Sequence, residues 1–199
     1  HYIASGNYSS SSMFTHLGYT FNELANKTWG IVGMGEIGQK VASIASAFDC
    51  NVQYYSTSGK NNHQAYKQVD FDTLLKTSDI ISIHAPLNKQ TENLFNHDAF
   101  IKMKPSAYLI NVGRGKIVNE KDLVEALKNY QLAGAGLDVF ENEPFNDDSP
   151  LLQINDATKL IMTPHIAWAP VETRNRVIDE VCLNIEGFKN NQLRNVCTL

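Results

Sequence analysis

Arg114, Glu143 and His165 stand out because each follows closely on a run of β-forming residues. The segments are Asn111-Val112-Gly113-Arg114-Gly115, Leu137-Asp138-Val139-Phe140-Glu141-Asn142-Glu143-Pro144 and Met162-Thr163-Pro164-His165-Ile166. Together they offer a fixed cation, a carboxylate and an imidazole. Reduction of a 2-oxo acid calls for this set: a cation for the carboxylate and carbonyl oxygens, an acid to protonate the developing alkoxide, and a carboxylate that keeps the acid charged. The planar fork of arginine suits the first role because it pairs two oxygens at once. Imidazole suits the second because it titrates near neutrality and a neighbouring carboxylate favours its charged form. His1, His16, His63 and His97 follow no such pattern and are read as structural or exposed.

A second constellation precedes these. Thr28-Trp29-Gly30-Ile31-Val32 runs into Gly33-Met34-Gly35-Glu36-Ile37-Gly38 and then into an amphipathic stretch. Gly33 is placed for a tight turn, Gly35 for close approach of a pyrophosphate, and Gly38 for close packing of helix on strand. The helix start adds free N–H donors and a positive dipole end. The carboxylate usually found at the end of the next strand, on the ribose hydroxyls, is missing. Tyr55-Ser56-Thr57-Ser58-Gly59-Lys60 stands there instead. Two readings stay open: Ser56, Thr57 and Lys60 accept a 2′-phosphate, so NADP binds, or hydroxyls and backbone hold the ribose of NAD.

To position these groups the chain needs a parallel sheet with crossover helices, and its pattern predicts one. Strands are expected over residues 28–32, 51–55, 79–84, 107–111, 132–137 and 160–162, and helices over 37–48, 120–128 and 171–188. The fold class is α/β, a Rossmann-type doubly wound sheet. Residues 1–183 are expected to form the dinucleotide-binding domain, and residues 184–199 the return to a second unit, with Asn195-Val196 as a strand of it. The serine run at 9–12 is too short to link large domains.

With 199 residues, 43% hydrophobic and 19% charged, the chain is neither disordered nor fibrous. Seventeen basic residues against 21 acidic ones give a net charge of −4 with no basic run, which argues against nucleic acid and anionic membranes as partners. No apolar stretch reaches the roughly 20 residues of a membrane helix, and the start lacks a signal-like pattern, so a cytoplasmic location is expected. Cys50, Cys182 and Cys197 match neither a disulfide framework nor a zinc site, and no metal is expected.

The ordered signatures extend further. Lys27 to Gly33 is followed by Ser78-Asp79-Ile80-Ile81-Ser82-Ile83-His84-Ala85-Pro86-Leu87, then Asn111 to Gly115, Gly134-Ala135-Gly136-Leu137-Asp138-Val139-Phe140 with Glu143-Pro144, and Thr163-Pro164-His165-Ile166-Ala167. In these the chain resembles the D-2-hydroxyacid dehydrogenases, which reduce 2-oxo acids with a nicotinamide cofactor. The resemblance implies that Arg114 binds substrate, that Glu143 pairs with the histidine, and that His165 is the general acid/base. It implies that Gly33, Gly35, Glu36, Ile37 and Gly38 hold the pyrophosphate and that Asp138 bonds the carboxamide. His84, Ala85, Pro86, Thr91, Val112, Gly113, Arg114 and His165 would line the cofactor cleft, with strand-end packing the other reading of His84.

His165-Ile166-Ala167-Trp168-Ala169 with Glu172 and Arg174 is similar to glycerate dehydrogenases, also called hydroxypyruvate reductases. D-3-phosphoglycerate, D-lactate and formate-type dehydrogenases are the alternatives. A corepressor-like dinucleotide sensor is the alternative of another class. Trp168 would line a substrate pocket or serve as an interface aromatic. The resemblance also implies a homodimer, and a segment before the point matching His1 that supplies half of a flavodoxin-like substrate domain. On that reading the chain is a fragment.

Overall fold

The computed structural model describes residues 2–18, 20–60 and 65–196. His1, His63 and Cys197 lie outside them. The elements run β1 (Thr28–Val32), α1 (Glu36–Ala47), β2 (Asn51–Tyr55), β3 (Lys67–Gln68), α2 (Phe71–Thr77), β4 (Ile80–Ile83), α3 (His97–Lys102) and β5 (Tyr108–Asn111). They continue as α4 (Glu120–Lys128), β6 (Gly134–Leu137), β7 (Leu160–Met162) and α5 (Val171–Lys189). The strands form one seven-stranded sheet in the order β3-β2-β1-β4-β5-β6-β7, with every pairing parallel. A buried parallel strand carries apolar residues on both faces. In β4 all four residues are buried, which explains its Ile80, Ile81 and Ile83, and the one polar residue, Ser82, accepts a hydrogen bond from the Trp29 indole N–H.

The expected strands at 28–32, 51–55 and 160–162 and the helix at 120–128 form with those bounds. Three expected strands start later in the structure. Two helices and one strand were absent from the sequence pattern: α2, α3 and the two-residue β3. Neither short helix is long enough to display helical periodicity, and local capping helps define each. The Asp70 carboxylate accepts from the Thr73 N–H at 2.8 Å, and Asn96 Oδ1 from the Ala99 N–H at 3.1 Å.

The larger core lies on one face of the sheet, where Leu74, Phe95, Phe100, Leu123 and Leu127 are wholly buried. On the opposite face Ile31, Met34, Ala42 and Tyr54 pack together under α1. Loss of one such leucine to alanine costs about 2–5 kcal/mol.

The long final helix behaves differently. Gly187 is its one buried residue, and Val177, Ile178, Val181 and Phe188 are exposed. It continues unbroken through residues 183 and 184, where the sequence pattern puts a change of unit. Asn195-Val196, expected as a strand of a second unit, pair with no strand of this sheet, and Asn195 lies in a bend with φ +48°. The tail instead turns back on α5. Gln192 N–H bonds to the Gly187 carbonyl at 2.7 Å, Arg194 pairs with Glu180 at 2.7 Å, and Asn195 Nδ2 donates to Asn184 Oδ1 at 3.0 Å. Among the described residues no helix is long and apolar enough to cross a membrane.

Candidate active site

A parallel sheet delivers all its strand C-termini to one edge, and ligands of such sheets bind where the strand order reverses. Here the reversal lies between β1 and β4. Gly33 leaves β1 with φ +93°, a region where a side chain is strained. A Cβ there would stand 2.8 Å from Ala85 N and 2.9 Å from the His84 carbonyl carbon. The backbones after β1 and β4 therefore touch only because residue 33 is glycine. A Cβ on Gly38 would collide with the Gly33 carbonyl, whereas one on Gly35 would meet nothing within 4 Å. The glycine turn thus leaves open space beside Gly35, just ahead of α1.

The caps point the same way. Helices α2, α3 and α4 start with Asp70, Asn96 and Asn119, whose side chains accept a first-turn N–H. Gly35 caps α1 with no side chain to offer. Its first-turn donors and dipole face the open space, a fit for the diphosphate of a dinucleotide. A cavity of about 480 Å³ continues from Ile37 past His84, Ala85 and Pro86 to Val112, Gly113 and Arg114.

His84 is mostly buried, and burial pushes its imidazole down to about 4, so it is neutral at pH 7. Its Nε2 lies 3.0 Å from Ser82 Oγ, which accepts from the Trp29 indole N–H at 2.9 Å, while its buried Nδ1 has no hydrogen-bond partner. Thr91 is wholly buried. Its hydroxyl donates to the Pro86 carbonyl at 2.7 Å and accepts from the Asn88 N–H at 2.9 Å, so it shapes the cleft wall from behind. At the end of β2, Ser56 Oγ is buried without a hydrogen-bond partner, Thr57 is half-buried and Lys60 is exposed.

The second group assembles at the ends of β5, β6 and β7. Asn111, fully buried, accepts from the Gly113 N–H and donates to the Arg114 carbonyl, both at 3.0 Å. This fixes the turn that carries the exposed Arg114, whose Nη1 donates to the Gly113 carbonyl at 2.8 Å. Glu143 Oε1 accepts from the Phe140 N–H at 2.8 Å, and its Oε2 lies 2.6 Å from His165 Nδ1. Burial works to raise the Glu143 carboxyl. The Phe140 N–H, His165 and the charge of Arg114 outweigh it and hold the carboxyl below its ordinary range. An apolar cavity of about 390 Å³, walled by Phe140, Phe145 and Pro164, opens beside the pair.

His165 sits at φ +52°, an uncommon conformation for a residue with a side chain. Asp138 supports it. This buried carboxylate accepts from the Thr163 hydroxyl (2.6 Å) and the Ile166 N–H (2.9 Å) on Oδ1, and from the Ala167 N–H (2.8 Å) on Oδ2. Burial opposes its ionisation, but those donors and the nearby His165 keep the carboxyl below its usual range. Spare acceptor capacity toward a ligand is left on Oδ2.

The structure therefore brings Glu143 and His165 into contact, sets Arg114 near them, and joins them along one sheet edge to the glycine turn and His84. Trp168 is exposed and lines neither of these two cavities. Asn111 and Thr163 are positioning groups missed in the sequence; an Asn directly before a glycine-containing turn was the available signal for the first.

Residues 3–167 match the family described as D-isomer specific 2-hydroxyacid dehydrogenase, NAD binding domain. Among curated relatives, a hydroxypyruvate reductase of Blautia hydrogenotrophica is 39% identical over 189 residues, 94% of this chain and 58% of the relative. A glyoxylate reductase of Thermofilum pendens is 42% identical over 167 residues, 82% of this chain and 48% of the relative. Among solved structures, D-lactate dehydrogenase with NAD+ from Lactobacillus jensenii superposes with a TM-score of 0.83 at 31% identity, over 100% of this chain and 62% of that one. An acyclic imino acid reductase in complex with NADPH and D-Arg gives a TM-score of 0.85 at 34% identity, over 98% and 61%. The chain thus spans roughly three fifths or less of the length of these relatives. With its strand order, its glycine turn and this match over most of its length, the chain belongs to the D-isomer specific 2-hydroxyacid dehydrogenase family, whose NAD-binding domain it matches.

Proposed function

We propose that this chain is the dinucleotide-binding part of an NAD(P)-dependent reductase that converts hydroxypyruvate, or a closely related 2-oxo acid, to D-glycerate or the corresponding D-2-hydroxy acid. The observation that carries this reading is the 2.6 Å contact between His165 Nδ1 and Glu143 Oε2, which leaves Nε2 as the ring nitrogen for a substrate oxygen. A reduced nicotinamide supplies the hydride when bound. Gly33, Gly35, Glu36, Ile37 and Gly38 hold its diphosphate, and His84, Ala85, Pro86, Val112 and Gly113 wall the cleft toward Arg114. Arg114 orients the oxo acid through its fork, His165 Nε2 delivers a proton to the carbonyl oxygen as it becomes an alkoxide, and Glu143 stabilises the charged ring.

The end of β2 is the basis for a cofactor preference. It carries no carboxylate, and the Ser56 hydroxyl is buried with its hydrogen-bonding capacity unused beside Thr57 and Lys60. We read this as a seat for the 2′-phosphate of NADP. Residues 1–183 then serve as the dinucleotide unit and 184–199 as the return to a substrate domain. The protein works as a homodimer, for which the apolar residues exposed along α5 and on the N-terminal segment, such as Phe14 and Phe21, are surface to be covered. A cytoplasmic location fits the free thiols of Cys50 and Cys182.

The test is single-residue. In the full-length protein His165→Asn, a replacement that tolerates positive φ, should lower hydroxypyruvate turnover by about a hundredfold or more while leaving dinucleotide affinity intact. Turnover within about twofold of the parent would remove His165 as the proton donor.

A further inference from the structure

Two carboxylates outside the constellation above hold its two halves together. Glu120, in the first turn of α4, donates its backbone N–H to Glu141 Oε1 at 2.8 Å, and Glu141 donates its own N–H to Glu120 Oε1 at 2.7 Å. The residues are 21 apart in sequence, so the exchange is not a local cap. Asn119 already caps α4, accepting from the Asp122 N–H at 3.1 Å. Glu120 is 6% exposed, and among the described residues neither carboxylate forms an ion pair. A buried acid without a cation is a costly way to stabilise a helix, since an apolar residue and a water-facing cap would serve. Burial, with Glu141's charge behind it, pushes the Glu120 carboxyl up.

What the exchange joins gives it a use. On the α4 side the chain leads back through a short 3-10 turn to Arg114. On the other side Glu141 lies between Phe140 and Glu143, the two residues linked by the Phe140 N–H to Glu143 Oε1 bond. The same loops meet again at Gly115, where any Cβ would run into the Phe140 carbonyl group. We propose that Glu120 and Glu141 form a reciprocal carboxylate–amide clamp that fixes the Arg114 loop against the Glu143 loop, and so positions substrate-holding cation and proton-donating pair relative to each other. Both are positioning residues. Their role rests on the assignment of Arg114, Glu143 and His165 made above.

The clamp needs an acceptor oxygen at each side chain, not a charge. Glutamine at position 120 removes the like-charge repulsion but keeps the acceptor; alanine removes both. In the full-length protein, Glu120→Ala should lower kcat for hydroxypyruvate by about ten- to a hundredfold and raise its KM, because a misplacement near 1 Å costs this much. Glu120→Gln should stay within about threefold of the parent. Affinity for the reduced dinucleotide, read by its fluorescence, should fall less than about threefold in both, since the glycine turn lies on other loops and the Val112-Gly113 wall keeps its own Asn111 bonds. Glu141→Ala should match Glu120→Ala, and the double variant should be no worse than the weaker single one, as expected of one device.

Amide hydrogen exchange supplies a readout independent of turnover: the Phe140–Glu143 amides should exchange at least about tenfold faster in Glu120→Ala, while those of α1 stay unchanged. If the parent binds dinucleotide but reduces no 2-oxo acid, the proposed function fails and the exchange result alone decides the clamp. Unchanged exchange at Phe140–Glu143, or a Glu120→Ala enzyme with parental kcat and KM, would overturn it. So would a loss of dinucleotide affinity in step with kcat, the mark of general destabilisation. Should Glu120→Ala fail to fold, Glu141→Ala at the more exposed partner reads the same outcomes.

Discussion

Replacing Asp138 with asparagine tests how the His165 loop is held. The carboxylate accepts from three donors, the Thr163 hydroxyl and the Ile166 and Ala167 N–H groups. Asparagine is nearly isosteric and can leave its oxygen where Oδ1 stands, keeping the first two bonds in neutral form. Each then falls from the charge-assisted class, worth about 1.5–3 kcal/mol, to the ordinary one, worth about 0.5–1.5 kcal/mol. The third donor meets an NH2 group instead of an acceptor, but Ala167 is exposed and its N–H recovers water, so that loss lies near the lower end. The sum is about 3 kcal/mol at pH 7. In urea unfolding, with a slope of about 2–3 kcal/mol per molar, the midpoint should fall by roughly 1 M with the slope unchanged.

A pH series sharpens the test. The folded-state carboxyl of Asp138 lies below its ordinary value, so its contribution is complete above the unfolded value of about 4 and disappears as pH falls through the folded one. The gap between parent and Asp138→Asn should therefore be constant from about pH 5 to 7 and narrow below about pH 4. A midpoint shift under about 0.3 M at pH 7, or a gap that widens on acidification, would refute the account of this loop.

Other predictions can be checked alongside. Gly33→Ala should abolish dinucleotide binding, or weaken it by about a hundredfold, and cost more than about 1 kcal/mol of stability, because φ +93° and the Ala85 backbone at 2.8 Å both oppose a Cβ; titration and urea unfolding read the two effects. Lys60→Ala should weaken NADPH about tenfold while changing NADH less than about twofold, from loss of one charge-assisted contact; equal effects on both cofactors would return the β2 end to ribose binding through hydroxyls and backbone.

The sequence carried most of the sheet because parallel strands buried on both faces leave unbroken apolar runs, and β1, β2 and β7 begin and end where composition changes. It carried Gly33 and Gly38 as well, since their need is steric and local. The short helices were hidden because two turns cannot display a period. The path of the tail was not legible, because within this chain it is decided by the contact of Arg194 and Asn195 with Glu180 and Asn184 on α5 and not by the strand-compatible residues Asn195-Val196. Asp138 shows the limit at the site. The resemblance gave it to the nicotinamide carboxamide, but that its oxygens bind the loop of a residue 27 positions later could come only from pairing β6 with β7.

The strand order has a consequence in time as well as in space. β1 finds β2 across a single helix, but its other edge must wait for β4, with Thr28 N–H bonded to the Asp79 carboxylate across 51 residues. Closing so long an interval is slow compared with forming a hairpin or a helix. Because Gly33 and His84 meet only when that closure is made, the nucleotide cradle should be among the last surfaces to form in refolding. A dinucleotide added during refolding should leave the early rates untouched and act as a latch on the final step, holding closed a seam that the chain alone must search for.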